Sequence, residues 1–205
     1  MINFGDIYQR QSAYVLGFHG TDKWIVDNVV DRQIEHLRIS VDTTEWLGHG
    51  IYFWENDPER ALDWAQNGKT KGKINQPDAV GAVIDPGFCL DLTTLAGLNE
   101  IAKAYEFLKD YCEQTGIELP KNTVGKDKIK RELDCAVVQA VHNYRKTQGL
   151  GKYDSVRALF PEGKSLYKES GFRKHNHVQI CIVKPERCIK GYFRPLQSLS
   201  SNAIA

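Results

Sequence analysis

Three short segments carry residue types that suit the binding of a flat small molecule. They are Phe18-His19-Gly20-Thr21, Gly48-His49-Gly50-Ile51-Tyr52-Phe53 and a run at 177–182 that contains Gln179. An aromatic face such as that of Tyr52 holds a flat aromatic cation well. A glycine such as Gly20 lets backbone N–H and C=O groups come close to a ligand. Each segment alone has an ordinary structural interpretation, so the functional inference depends on their occurring together.

The elements around these segments can be predicted from apolar runs and turn residues. A helix start is indicated at 56–59, where an Asn-Asp cap, a proline and an acidic residue follow one another. The predicted elements are a strand at 13–18 ending at His19, a short helix within 22–36, a strand at 51–54, a helix at 58–67 bearing Ala61 and Trp64, and strands at 79–85, 153–160 and 177–183.

The middle of the chain is predicted to be helical. Apolar residues recur at helical spacing over 95–116 and 129–147, with a lysine-rich loop at 117–128 between them. Strands therefore lie at both ends and helices cluster between them, which indicates an α+β fold rather than a regularly alternating α/β sheet. The absence of a G-x-G-x-x-G after a strand and of a G-x-x-x-x-G-K-[ST] excludes the two common glycine-rich nucleotide loops.

Composition places the chain among ordinary globular proteins. It has 205 residues, of which 41% are hydrophobic and 26% charged, so we expect a single domain spanning 1–205. A formal charge of +1 excludes a strong overall attraction to nucleic acid, although not a local basic patch. No apolar run is long enough for a membrane span, and the N-terminal residues lack the pattern of a signal peptide. We therefore expect a cytoplasmic protein without membrane contact, ending in a small polar tail at 196–205.

Neither a disulfide framework nor a metal centre is expected. The five cysteines are odd in number and form no C-x-x-C pair, which is typical of reduced, buried thiols. His175 and His177 would share one face of a strand, but no third ligand accompanies them.

Together, the three segments resemble the signature of the ADP-ribosyltransferase superfamily. The similar branch contains diphtheria toxin and the poly(ADP-ribose) polymerases, which carry a His, a Tyr and a Glu on three strands. His19-Gly20-Thr21 is similar to the first motif, and 48–53 is close to the polymerase motif Gly-Lys-Gly-Ile-Tyr-Phe. Ala61 and Trp64 suit the small and aromatic residues of the following helix if one residue is inserted. The resemblance covers about 13–66, 79–93 and 153–195, and about 95–148 looks like a helical insertion.

The resemblance implies a split mixed and antiparallel sheet, with NAD bound in a cleft between two small sheets. It assigns His19 to the adenosine ribose and the backbone of Gly20 to the nicotinamide carboxamide, and it makes Thr21 a further cofactor-binding residue. Tyr52 would stack on the nicotinamide ring, and Trp64 would close its other face. NAD is expected as a substrate, and no metal is needed.

Gln179 stands where the family has its glutamate. An amide can order a ribose 2′-hydroxyl but brings no full charge to the oxocarbenium-like sugar that forms when nicotinamide leaves. In the superfamily, loss of this glutamate goes with transfer of a single ADP-ribose or with loss of activity. Glu169, ten residues upstream, is a further carboxylate to consider.

We therefore expect a mono-ADP-ribosyltransferase with His19, Tyr52 and Gln179 as catalytic residues. By analogy, a compact chain of this kind suits a bacterial toxin or antiphage-defence effector held in check by an antitoxin or regulator protein. The acceptor is a nucleic acid or a protein, and a C-terminal third short of acidic residues could hold phosphates. The alternatives are a catalytically silent module that binds NAD or ADP-ribose, and an NAD-dependent RNA 2′-phosphotransferase of the same fold.

Overall fold

A computed structural model describes residues 14–125 and 128–195 of the chain. The strands in these residues are β1 (Val15–Asp22), β2 (Ile51–Glu55), β3 (Pro77–Ile84), β4 (Cys89–Asp91), β5 (Asn122–Thr123), β6 (Lys130–Arg131), β7 (Ser155–Phe160), β8 (His177–Ile182) and β9 (Ile189–Phe193). The helices are α1 (Lys23–Val30), α2 (Pro58–Thr70), α3 (Leu95–Thr115), α4 (Glu132–Thr147) and α5 (Pro185–Cys188). The tail predicted at 196–205 and the first residue of the strand predicted at 13–18 lie outside the described ranges.

Seven of these strands form one mixed sheet in the order β4-β7-β8-β2-β1-β3-β9. All neighbours are antiparallel except β4 and β7, which are parallel. The predicted α+β class is therefore confirmed. The expectation of two small sheets is wrong, because β1 and β2 pair with each other and join the two halves.

The junction between β1 and β2 is short. Only Gly17 with Glu55 and Phe18 with Trp54 are paired, whereas β1 pairs with β3 along its full length of eight residues. Along β1, the pairing with β2 ends at Phe18, just before His19. Along β2, the pairing with β1 covers only the last two residues. The sheet is therefore continuous but opens at its centre, next to His19 and Tyr52.

Both faces of the sheet are covered. On one face, Val26 and Val29 of α1 pack with Phe53 and Ile180 in a cluster of buried apolar side chains. On the other face, α4 contributes Val138 and Val141 to a second cluster around Tyr153 and Val156. These clusters hold β2, β7 and β8 at the centre of the molecule.

Helices α3 and α4 pack against each other and are linked through a short hairpin formed by β5 and β6. Both were predicted from apolar periodicity, and α4 begins later than expected because Lys130 and Arg131 pair with β5. None of the helices in residues 14–125 and 128–195 combines the length and apolar character that a bilayer crossing needs. All five cysteines are buried and free, as predicted.

His142 of α4 gives the fold a predictable dependence on pH. Its side chain is 1% exposed, and neither ring nitrogen has a hydrogen-bond partner among the described residues. Burial, together with nearby Lys152 and Arg145, lowers the pKa of His142 from 6.5 to about 4. The folded state therefore requires the neutral ring, while the unfolded chain takes up a proton as the pH falls below 6.5.

We expect protonation of His142 in the unfolded chain to lower the free energy of unfolding by about 2 kcal/mol between about pH 7.5 and pH 5. Urea unfolding across that range measures the total decrease in the free energy of unfolding. In His142→Leu, this decrease should be smaller by about 2 kcal/mol. An equal pH dependence in the variant would mean that the pKa of His142 is the same in the folded and the unfolded protein.

Candidate functional site

A cavity of about 360 Å³ lies where β1 and β2 separate. His19, Tyr52, Trp64 and Gln179 all line it, although they come from β1, β2, α2 and β8. Its size falls in the range of small-molecule sites. The structure thus brings together side chains from all three segments identified in the sequence.

His19 bridges the opening between the two strands. Its Nδ1 lies 2.8 Å from the carbonyl oxygen of Tyr52. A carbonyl only accepts, so Nδ1 carries the proton and donates, and the neutral ring keeps a lone pair on Nε2. Burial lowers the pKa of His19, against the opposing effect of that hydrogen bond, which favours the neutral ring. His19 can therefore accept a hydrogen bond from a hydroxyl group in the cavity.

The hydroxyl of Tyr52 forms two hydrogen bonds with the backbone of the preceding loop. It accepts from the Leu47 N–H at 2.8 Å and donates to the Gly48 carbonyl at 2.5 Å. Burial raises the pKa of Tyr52 far above its ordinary value, so the phenol stays neutral and is not an acid or base at physiological pH. Its contribution to the cavity is the ring, which the two hydrogen bonds hold in one orientation.

Gly48 makes this anchoring loop possible. It has a φ of 79°, in the left-handed region, and a Cβ there would lie 2.9 Å from Cγ1 of the buried Val138 side chain. The glycine before the aromatic run, which predicted a loop, is thus required by both backbone conformation and space.

Trp64 reaches the cavity from α2. That helix begins at Pro58, and the Asp57 side chain caps it by accepting from the Arg60 N–H at 2.9 Å. Ala61 and Ala65 bury one side of the helix completely, whereas Trp64 is 46% exposed. Its ring lies 6.5 Å from that of His19 between centroids. A half-exposed tryptophan on a fixed helix leaves a large apolar face available to a ligand.

Gln179 lies in the middle of the sheet, paired with Trp54 on one side and Ala158 on the other. Side chains alternate along a strand, so Gln179 shares its face with His177. Within residues 14–125 and 128–195, no side-chain hydrogen bond to the Gln179 amide occurs. Both ends of the amide are therefore available to a ligand.

Gly20 and Thr21 do not belong to the cavity wall. A Cβ at Gly20 would lie 1.9 Å from the carbonyl oxygen of Ala61, so this glycine allows α2 to pack closely on β1. Thr21 is buried and pairs with Asp78 of β3. The structure thus gives Gly20 a packing reason for its size, which the sequence analysis did not anticipate.

Two carboxylates line the cavity, those of Glu162 and Glu45, and Glu169 is not among its lining residues. Glu162 Oε2 lies 3.1 Å from Arg60 Nη2 and 3.8 Å from His177 Nδ1. Glu169 is exposed in a turn with a φ of 65°. Glu55 is paired with Arg157, and Asp63 with Arg60.

Glu162 was missed for a topological reason. It lies two residues after the end of the strand predicted at 153–160, but only the antiparallel register, with Phe160 opposite His177, places it beside the strand of Gln179. An acidic residue at the end of a predicted strand is a sequence signal for a functional site. It does not show which other strand lies beside that residue.

Three residues that line the cavity each carry a buried polar atom without a hydrogen-bond partner among the described residues, and Arg60, through its Nε, is one of them. Trp54 Nε1 and His177 Nε2 are buried and have no hydrogen-bond partner among the described residues. Their side chains are 6% and 5% exposed. An unpaired buried polar group costs free energy, so these atoms are a local cost to stability in the cavity wall.

The described residues contain no candidate metal-binding cluster. In the part of the chain that the structure describes, no three His, Cys, Asp or Glu side chains are grouped so as to hold a metal ion.

Comparison with known proteins gives little functional information. No family model matches the chain. The chain is similar to an uncharacterized protein of Methanocaldococcus jannaschii, with 23% identity over 199 residues, covering 87% of this chain and 84% of the archaeal protein. The similarity thus extends along most of both chains.

Proposed function

We propose that the protein is an NAD-dependent mono-ADP-ribosyltransferase. The observation that carries this proposal is the convergence of His19, Tyr52, Trp64 and Gln179 on one cavity. In the superfamily that the sequence resembles, the corresponding residue types hold NAD and act on its nicotinamide ribose. NAD is the substrate in this proposal, and ADP-ribose is the transferred group.

The side chains fit the parts of NAD by their chemistry. The Tyr52 and Trp64 rings offer aromatic faces to the cationic nicotinamide ring. The free Nε2 of His19 accepts from a ribose hydroxyl, and the Gln179 amide accepts from the 2′-hydroxyl at the reacting sugar.

The reaction breaks one bond and forms another at the same carbon. The glycosidic bond between ribose C1′ and the nicotinamide nitrogen breaks, and nicotinamide leaves with the electron pair. An acceptor oxygen or nitrogen then bonds to C1′ and loses its proton. Glu162 lines the same cavity and is the carboxylate to which this proton passes. The products are nicotinamide, a proton and an acceptor carrying one ADP-ribose.

The neutral Gln179 also favours a second candidate, a module that binds NAD or ADP-ribose without turnover. Nicotinamide release distinguishes the two functions. Purified protein is incubated with labelled NAD and cell lysate, and the labelled material is then treated with nuclease or protease. A transferase releases nicotinamide and labels a macromolecule, whereas a binding module retains NAD unchanged with every acceptor.

Removal of the Tyr52 ring should weaken NAD binding. We expect Tyr52→Ala to lower the binding free energy by about 1–3 kcal/mol, because stacking and apolar burial are lost. Isothermal titration calorimetry with NAD measures the effect. Since the hydroxyl also anchors residues 47 and 48, Tyr52→Phe is the control, and it should retain most of the affinity. Unchanged affinity in folded Tyr52→Ala would place the nicotinamide elsewhere.

A further inference from the structure

The segment 161–176 joins β7 to β8 and forms a projecting hairpin beside the cavity. Glu162, at its base, and His177, the residue directly after it, both line the cavity. Ser165 and Arg173 are bridged across it. The Leu166 N–H donates to the Phe172 carbonyl at 3.1 Å. We refer to residues 161–176 as the rim hairpin.

The tip of the rim hairpin exposes apolar side chains in an ordered turn. Tyr167 is 62% exposed and Phe172 63% exposed. The Ser170 N–H donates to the Tyr167 carbonyl at 3.1 Å, and the Phe172 N–H donates to Ser170 Oγ at 3.0 Å. Two aromatic rings are thus presented to solvent on a backbone that internal hydrogen bonds hold in shape.

Basic residues flank these aromatic residues along the chain. Lys164, Lys168, Arg173 and Lys174 are exposed on the rim hairpin. Of its two acidic residues, Glu162 points back to an ion pair with Arg60, which leaves Glu169 as the acidic residue near the tip. Arg38, which lines the cavity, is exposed and has no ion-pair partner within 14–125 and 128–195.

We infer that the rim hairpin binds single-stranded nucleic acid and presents it to the cavity as the acceptor. This inference deepens the proposed function and rests on it. Aromatic rings stack on unpaired bases, and cations beside them hold the phosphates. A protein acceptor would use the same rings but would gain less from four cations in sixteen residues.

The position of the site favours a single strand over a duplex. The acceptor atom must reach C1′ inside a cavity, and a base within a duplex would first have to leave its stack. RNA and DNA share the phosphates and bases that the rim hairpin would contact, so both are tested.

The test measures binding without NAD. Fluorescence anisotropy is recorded with labelled single-stranded RNA and DNA of about 20 nucleotides, and with a duplex of the same sequence. Wild type is compared with the double variant Tyr167→Ala/Phe172→Ala. The matched control is Phe107→Ala/Tyr111→Ala on α3, which removes two rings of similar exposure, 57% and 50%.

We expect the rim variant to raise the Kd for a single strand by about tenfold or more, and the control to leave it within about twofold. The duplex should bind more weakly, and the Kd should rise with salt. Equal binding by wild type and the rim variant, preference for the duplex, or no binding of any oligonucleotide would overturn the inference. Label that enters only protease-sensitive material would overturn it as well.

This assay separates the two proposals. Oligonucleotide binding without nicotinamide release would keep the rim hairpin as a nucleic-acid site and reject the transferase. Nicotinamide release without oligonucleotide binding would keep the transferase and reject a nucleic-acid acceptor.

Discussion

Gln179→Ala is expected to lower the rate of nicotinamide release roughly 10²-fold while NAD still binds. Gln179 lies on the central strand of the sheet, and its amide faces the cavity without a partner among the described residues. Its hydrogen bond to the 2′-hydroxyl should strengthen as positive charge develops on the reacting sugar. An interaction that is stronger in the transition state than in the ground state affects the rate more than the binding.

Gln179→Glu is the companion variant. It adds the charge that an amide lacks, so we expect faster hydrolysis of NAD than in wild type. Single-turnover release of labelled nicotinamide gives the rate, and calorimetry gives the NAD affinity. Full activity in Gln179→Ala would reduce Gln179 to a structural residue of β8. If wild type and both variants bind NAD and none releases nicotinamide with any acceptor, the binding module is the correct function.

The residues that converge on the cavity could be identified from the sequence because each belongs to a local pattern. His19 ends an apolar run, Tyr52 follows a pair of glycines, and Trp64 belongs to a helix with a clear start. These patterns depend on neighbours in the chain, which a sequence displays directly. The prediction that they share one cavity came from the family resemblance, because the spacing of residues in the sequence does not show which strands are adjacent.

The features that escaped prediction depend on contacts between distant parts of the chain. The Glu162 carboxylate is positioned by an ion pair with Arg60, which is 102 residues away in the sequence. The small size of Gly20 is required by the carbonyl of Ala61, which a neighbouring helix places against it. The single sheet depends on two residue pairs between β1 and β2. No local pattern of residue types encodes such pairings, since register and packing are set by the whole fold.

Glu162 provides the second test of the mechanism. Glu162→Gln should reduce transfer to an acceptor about 10²-fold or more, because the variant amide cannot take the proton that the acceptor loses. NAD affinity should stay within about twofold, since the binding contacts come from other residues. Transfer is measured as label incorporated into acceptor at saturating NAD. The matched control is Glu169→Gln, which removes a carboxylate of the same hairpin that does not line the cavity, and it should transfer as wild type does.

The ion pair with Arg60 requires a separate check, because Glu162→Gln also removes a contact that positions α2 against the hairpin. Urea unfolding of Glu162→Gln shows whether the fold is retained, and Arg60→Met removes the same ion pair while leaving the carboxylate. If Glu162 acts as the proton acceptor, Arg60→Met should reduce transfer less than Glu162→Gln does. Equal losses of transfer in the two variants, with equal losses of stability, would show that Glu162 only supports the structure. In that case the proton of the acceptor must leave by another route, and Glu45, which also lines the cavity and whose pKa is raised by burial, becomes the next carboxylate to replace.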